Sequence, residues 1–205
     1  MENLHTLASA VRTCTSCPLH HTRTNAVPGE GPANAEVMFI GEGPGFNEDK
    51  QGRPFVGAAG QFLNELLQLA GFKREEVYIT NVVKCRPPGN RDPLPEEIEA
   101  CARYLDRQIE LINPKVIVTL GRFSMARWFP NEKISVVHGR AKRADGRIVV
   151  AMFHPAAALH QQSLRATVEE DFRRLKQIVA EAQRKAEEKP AQPSAADQAE
   201  QLSLF

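Results

Sequence analysis

The 205-residue chain has no apolar run approaching the roughly 20 residues that a membrane-spanning helix requires. Its first stretch, MENLHTLASAVRTC, has an acid in second place and no continuous apolar core, so it makes a poor secretory signal and a cytoplasmic protein is the expectation. A dominant charge is missing as well. The net charge is +1, which leaves no global basic field to attract a polyanion. No internal repeat is visible, and no G-x-x-x-x-G-K-[ST] phosphate loop occurs. Cysteine is scarce, with four residues in all. The remaining composition, 42% hydrophobic and 25% charged, is that of an ordinary globular α/β domain with an appendage.

Four stretches are nearly all apolar and β-branched instead of alternating: EVMFIG (36–41), VYITNVVKC (77–85), KVIVTLG (115–121) and IVVAMFH (148–154). Such runs are buried on both faces, as parallel strands are. Helical patterns lie between them. AGQFLNELLQLAG places Phe62, Leu63, Leu66, Leu67 and Ala70 on one face and stops at Gly71, a natural C-cap. PEEIEACARYLDRQIELI opens with Pro95 and two glutamates, which suits a helix N-terminus. A last long helix is expected over 165–186. Alternation of this kind predicts an α/β fold, a three-layer α/β/α sandwich around a central four-stranded parallel sheet.

In such a sheet the site lies beyond the carboxyl ends of the strands. Those ends carry Gly41 to Gly45, Asn81 to Cys85, Gly121 and His154. The first resembles the glycine turn of a dinucleotide site, but the third glycine position is Phe46 and GPGFNEDKQGRP reads as a loop instead of a helix start. Glu42, Glu48 and Asp49 in that loop would repel phosphates. A nucleotide cofactor is therefore not expected there.

The cysteines fall as a C-x2-C pair, Cys14 and Cys17, followed by Cys85 and Cys101. Four thiolates complete the ligand set of tetrahedral zinc or of a cubane iron–sulfur cluster. Either metal would clip the N-terminal arm to the core. The absence of a second C-x2-C knuckle leans mildly away from a zinc ribbon. Asn81 is an odd polar residue within a buried run, and a ligand could supply its partners. Phe55, in the glycine- and proline-flanked GRPFVG, reads as a stacking platform. His154 ends a strand and is followed by a proline.

Together these residues resemble the uracil-DNA glycosylase superfamily, specifically its family 4 iron–sulfur enzymes. The resemblance rests on GEGPGFNEDKQGRPFVGAAGQFLN, ITNVVKCRPPGNRDP, HPAAAL and the four cysteines, and spans about Cys14 to Ala180. It implies a [4Fe–4S] cluster held by Cys14, Cys17, Cys85 and Cys101, and a monomeric enzyme that removes uracil from single- or double-stranded DNA in base excision repair, associated with the nucleoid. It further implies that Phe55 stacks on a flipped uracil, Asn81 reads its O4 and N3–H edge, Gly43 and Gly45 border the pocket, and His154 donates to O2. Glu42 would orient the water, with Glu48 as the other candidate acid and as a steric bar at the 5-position. Leu159 is the guess for a residue wedged into the DNA stack. Covalent uracil-trapping relatives carry a histidine-containing insert after the first motif. None is present, so turnover is expected.

Two basic clusters, Lys84/Arg86/Arg91 and Arg140/Lys142/Arg143/Arg147, are either solvated surface or local phosphate-binding faces. The division expected is a glycosylase domain over 1–186, a flexible linker over 187–200 and a terminal QLSLF over 201–205. That pentapeptide resembles the peptides by which repair proteins dock on the β sliding clamp, with Gln201, Leu202, Leu204 and Phe205 filling an apolar pocket. Two other readings compete: a catalytically weak uracil- or single-strand-DNA-binding module held by its metal cluster, and a zinc-stabilised nucleotide-binding protein.

Overall fold

A computed structural model describes residues 3–188. In chain order the elements are α1 (Leu4–Thr13), β1 (Val37–Gly41), α2 (Phe46–Gln51), α3 (Ala58–Leu69), β2 (Tyr78–Asn81), α4 (Pro95–Ile112) and β3 (Val116–Leu120). There follow two single turns of helix, α5 (Arg122–Met125) and α6 (Ile134–Val137), then β4 (Arg140–Ala144), β5 (Arg147–Met152), α7 (Pro155–His160), α8 (Arg165–Arg173) and α9 (Leu175–Glu188). The strands form one sheet in the order β2-β1-β3-β5-β4. The four apolar runs are its parallel strands, and β4 pairs antiparallel with β5.

Each parallel strand is buried on both sides, and its side chains divide between two cores with a period of two. Met38, Ile40, Tyr78, Ile117, Val149 and Ala151 pack toward α1 and α4. Val37, Phe39, Ile79, Val118, Val150 and Met152 pack on the other face toward α3, α8 and α9. Helix α3 ends as its glycine suggests. Gly71 takes φ +73°, its N–H donates to the Gln68 carbonyl, and that of Phe72 to Leu67, a Schellman closure.

Four expectations need correction. The sheet has five strands, not four: RAKRA, three basic residues and two alanines, forms an antiparallel edge strand that a search for apolar runs passes over. Asp145 and Gly146 both adopt positive φ, 50° and 74°, and close the β4–β5 hairpin as a two-residue turn. Arg140, Lys142 and Arg143 of the second basic cluster lie on this edge strand, where charge discourages further pairing, and Arg147 opens β5. Second, GPGFNEDKQGRP is not all loop: Phe46–Gln51 is helical, since Glu48 reaches back to accept the Gly45 N–H at 3.1 Å. Third, the helix expected over 165–186 breaks at Arg174, and α9 runs to Glu188, so residues 187 and 188 of the expected linker are helical. The rest of that linker, with Gln201, Leu202, Leu204 and Phe205, lies outside the described residues. Finally, Lys84 is no part of a surface cluster, being 1% exposed.

Lys84 sits in a polar node between β2 and α4. Its Nζ donates to Thr80 Oγ1 (2.6 Å), the Asn81 carbonyl (2.7 Å) and Gln108 Oε1 (2.7 Å). Gln108 Nε2 donates in turn to the Pro28 carbonyl (2.7 Å) and to the Tyr78 hydroxyl (3.1 Å). All three ammonium protons have acceptors, which is what a buried lysine requires. Replacing Gln108 by Leu removes one of the three acceptors and leaves a buried ammonium N–H unpaired. The expected cost is about 2 kcal/mol, read as a lower denaturant midpoint. An unchanged midpoint would show that the node contributes nothing to stability.

Candidate active site

The parallel strands deliver their loops to one edge, and an open cavity of about 540 Å³ lies there, within the range of small-molecule sites. Its wall includes Glu42, Gly43, Gly45, Glu48, Phe55, Asn81 and His154. The seven residues singled out for the pocket therefore converge on one space, although they span more than a hundred positions of sequence. Pro87, Asn90, Arg91 and Asp92 also line it. These come from RPPGNRDP, in which sequence reasoning singled out only Arg86 and Arg91, as members of a basic cluster, and placed nothing in the pocket. The signal was available: a proline- and glycine-rich turn leaving the carboxyl end of a strand.

Asn81 is the last residue of β2, paired with Gly41 at the end of β1, and is 1% exposed. Its Oδ1 is buried without a hydrogen-bond partner. Such an orphan acceptor costs about 1–3 kcal/mol unless something fills its lone pairs. Phe55 stands across from it in a left-handed backbone conformation, φ +50°, rare for an aromatic residue. Several contacts hold that loop in place. Glu48 Oε1 accepts the N–H groups of Val56 and Gly57, each at 2.8 Å. Arg74 donates to the Pro54 carbonyl (2.6 Å) while paired with Glu30 (2.7 Å). A β-carbon on Gly60 would come within 2.0 Å of the Phe55 carbonyl oxygen, so α3 must pass bare beneath the loop.

The Glu48 carboxylate, which also accepts from Gly45, is thus engaged by three backbone amides. That of Glu42 makes no hydrogen bond to another described residue. Burial, with Asp92 nearby and Arg122 opposing, raises its pKa above the usual carboxylate value. The glycines serve the protein as much as any ligand. A β-carbon on Gly43 would lie 2.7 Å from Val83 Cγ2, and one on Gly45 2.8 Å from Glu48 Oε2.

His154 caps α7, its Nδ1 accepting the Ala156 N–H at 3.1 Å. With Nδ1 an acceptor, the ring proton resides on Nε2. Burial pushes the imidazole pKa down to about 4, Glu48 opposing only in part, so the ring is neutral near pH 7. The His154 and Phe55 rings stack with centroids 5.6 Å apart. Leu159 is exposed on α7 beside the rim residue His160 but does not line the cavity.

A second, smaller cavity lies between α1 and α4, and all four cysteines line it, with Cys85 and Cys101 buried. Three of the sulfurs accept hydrogen bonds: Cys85 from Arg23 Nη1 (3.2 Å), Cys101 from the Lys84 N–H (3.3 Å) and Cys14 from the Ser16 N–H (3.4 Å). Arg103 adds a longer contact to Cys14 at 3.8 Å. Among the described residues no three Cys, His, Asp or Glu side chains gather closely enough to hold a single metal ion. The thiols surround a space instead of converging on a point. Among the described residues, too, no helix is long and apolar enough to cross a membrane.

The model of the uracil DNA glycosylase superfamily matches residues 28–180. A Type-4 uracil-DNA glycosylase of Sulfurisphaera tokodaii is 50% identical over 188 residues, covering 87% of this chain and 86% of that protein. The Type-4 enzyme of Archaeoglobus fulgidus is 47% identical, with 89% and 96% covered, and that of Thermotoga maritima 48% identical, with 87% and 95% covered. The matched span contains β1 to β5 and every residue named above in the first cavity, and on that ground the chain belongs to the uracil DNA glycosylase superfamily.

Proposed function

We propose that this protein is a monofunctional uracil-DNA glycosylase that hydrolyses the N-glycosidic bond of a flipped-out deoxyuridine and leaves an abasic site in DNA. The observation that carries the reading is the orphan Oδ1 of Asn81, buried in the wall of a cavity that also presents a neutral imidazole and an aromatic face. A carboxamide offers an acceptor and a donor side by side. Uracil N3–H donates to Oδ1, and O4 accepts a hydrogen bond from Nδ2–H. Cytosine offers the opposite pattern on that edge, so it would leave both groups of Asn81 facing like partners. Phe55, held by its strained loop, provides the surface on which the base stacks.

Cleavage leaves the bonding electron pair on uracil, with charge developing at O2. The His154 Nε2–H is a fixed donor there, and because its pKa is near 4 it acts as a neutral hydrogen-bond donor and not as a general acid. The deoxyribose acquires oxocarbenium character. Glu42, whose carboxylate makes no hydrogen bond to another described residue, orients the water and favours that cation. Glu48 positions the Phe55 loop and narrows the cavity where a 5-methyl would stand.

Uracil release from a labelled oligonucleotide tests this reading. Asn81→Ala and His154→Ala are each expected to slow the bound-complex rate roughly 100-fold or more. The wild-type rate should not decline as pH rises through 6.5; on the acid side it should fall first as Glu42, whose pKa burial raises, takes up a proton and then as His154 does near pH 4. A rate that declines as pH rises through about 6.5 would mean that His154 acts as an imidazolium.

The four thiols suit a [4Fe–4S] cluster. All four line one cavity, and hydrogen bonds reach three of the sulfurs, as thiolates ligating a cluster favour. Held by Cys14, Cys17, Cys85 and Cys101, the cluster would join the C-x2-C arm to β2 and α4. Protein purified without oxygen is expected to be brown, absorbing near 400 nm. Cys17→Ser should bleach it and lower its melting temperature. Stoichiometric zinc in a colourless protein would overturn the assignment.

QLSLF is proposed as a tether to the β sliding clamp, with Gln201, Leu202, Leu204 and Phe205 as its anchors. Deleting Leu204 and Phe205 should abolish clamp binding and leave uracil release from short oligonucleotides intact. Clamp retention unaffected by the deletion would refute the tether.

A further inference from the structure

Phe46 opens α2 at the rim of the first cavity, next to Gly45, and is 58% exposed. No other large hydrophobic side chain among the described residues is as exposed. Packing does not explain it, since the buried member of α2 is Asp49. The ring is nevertheless placed. The guanidinium carbon of Arg86 lies 5.2 Å from its centroid, and Arg86 Nε is itself fixed by donating to Asn90 Oδ1 at 2.6 Å. Asn90 and Pro87 line the same cavity from the opposite loop. A cation on a ring that remains largely in solvent, at the mouth of a pocket shaped for one base, is the construction of a stacking platform.

We infer that Phe46, backed by Arg86, stacks on the nucleobase adjacent to the flipped uracil in the same strand. The inference rests on the glycosylase reading of the cavity and adds a neighbouring subsite to it. Removing uracil from the stack exposes one face of the next base to water, and an exposed aromatic ring at the rim covers that face. Arg86, charged and only partly buried, lies where the adjoining phosphate would pass. Every base has a π-face, so the subsite tolerates any neighbour and favours purines, which overlap the ring most.

Single-stranded oligonucleotides with one uracil, flanked by ordinary bases or by abasic analogues, test the subsite. On base-flanked substrate, Phe46→Ala is expected to raise KM roughly tenfold, in line with the loss of one base–aromatic stack, and Phe46→Trp to restore it. On abasic-flanked substrate the penalty of Phe46→Ala should vanish, because the group that Phe46 would touch is gone. An equal penalty on both substrates, or none on either, would overturn the inference. Failure of the wild-type protein to release uracil from either substrate would instead sink the glycosylase reading, and the subsite with it.

Discussion

A β-carbon on Gly41 would lie 2.4 Å from Asn81 Oδ1 and 2.6 Å from Phe55 Cζ, so the end of β1 has to be bare for the other two residues to occupy the same edge of the sheet. Gly41 and Asn81 are partners in the β1–β2 ladder, and parallel pairing fixes their separation whatever the loops do. Phe55 then approaches from a loop in a left-handed conformation that Glu48, Arg74 and the bare surface of Gly60 enforce. His154 arrives from β5, with Gly121 close beside it, where a β-carbon would come within 3.0 Å of His154 Cβ. The pocket is thus made by close approaches at strand ends, and glycine is the residue that permits them.

The two cavities share one short segment. Asn81 ends β2 and faces the base pocket, and four residues later Cys85 faces the thiol cavity. Between them Lys84 donates its backbone N–H to Cys101 and its ammonium to the Asn81 carbonyl. The thiol cavity therefore stands directly behind Asn81, on the segment from which that residue projects.

Much of this was legible in sequence because burial on both faces writes parallel strands as apolar runs, and because glycine, proline and the polar residues Asn81 and His154 punctuate their carboxyl ends. What sequence hid has physical reasons. The edge strand β4 is three basic residues and two alanines, which reads as surface. Lys84 looks like one more surface cation, and only the acceptors on Thr80, Asn81 and Gln108 show why it is inside. Helix α2 hides behind a proline- and glycine-rich stretch because its cap is a side chain, Glu48, folding back on Gly45. The division of labour between Glu42 and Glu48 could not be read from the motif either. The structure distinguishes the two only by their partners: three backbone amides occupy the Glu48 carboxylate and, among the described residues, none that of Glu42.

The account stands on Asn81 as the group that recognises the base, and one substitution tests it most directly. An aspartate at position 81 keeps the size of the side chain, removes both N–H donors and presents acceptors alone. Single-turnover release of uracil and of cytosine from matched oligonucleotides, by wild type and by Asn81→Asp, gives the ratio that matters. The expected result is strong preference for uracil in the wild type and a loss of roughly 100-fold or more of that preference in the variant, with cytosine release gaining relative to uracil. An unchanged ratio would contradict the account, because recognition would then lie in some group other than the Asn81 carboxamide.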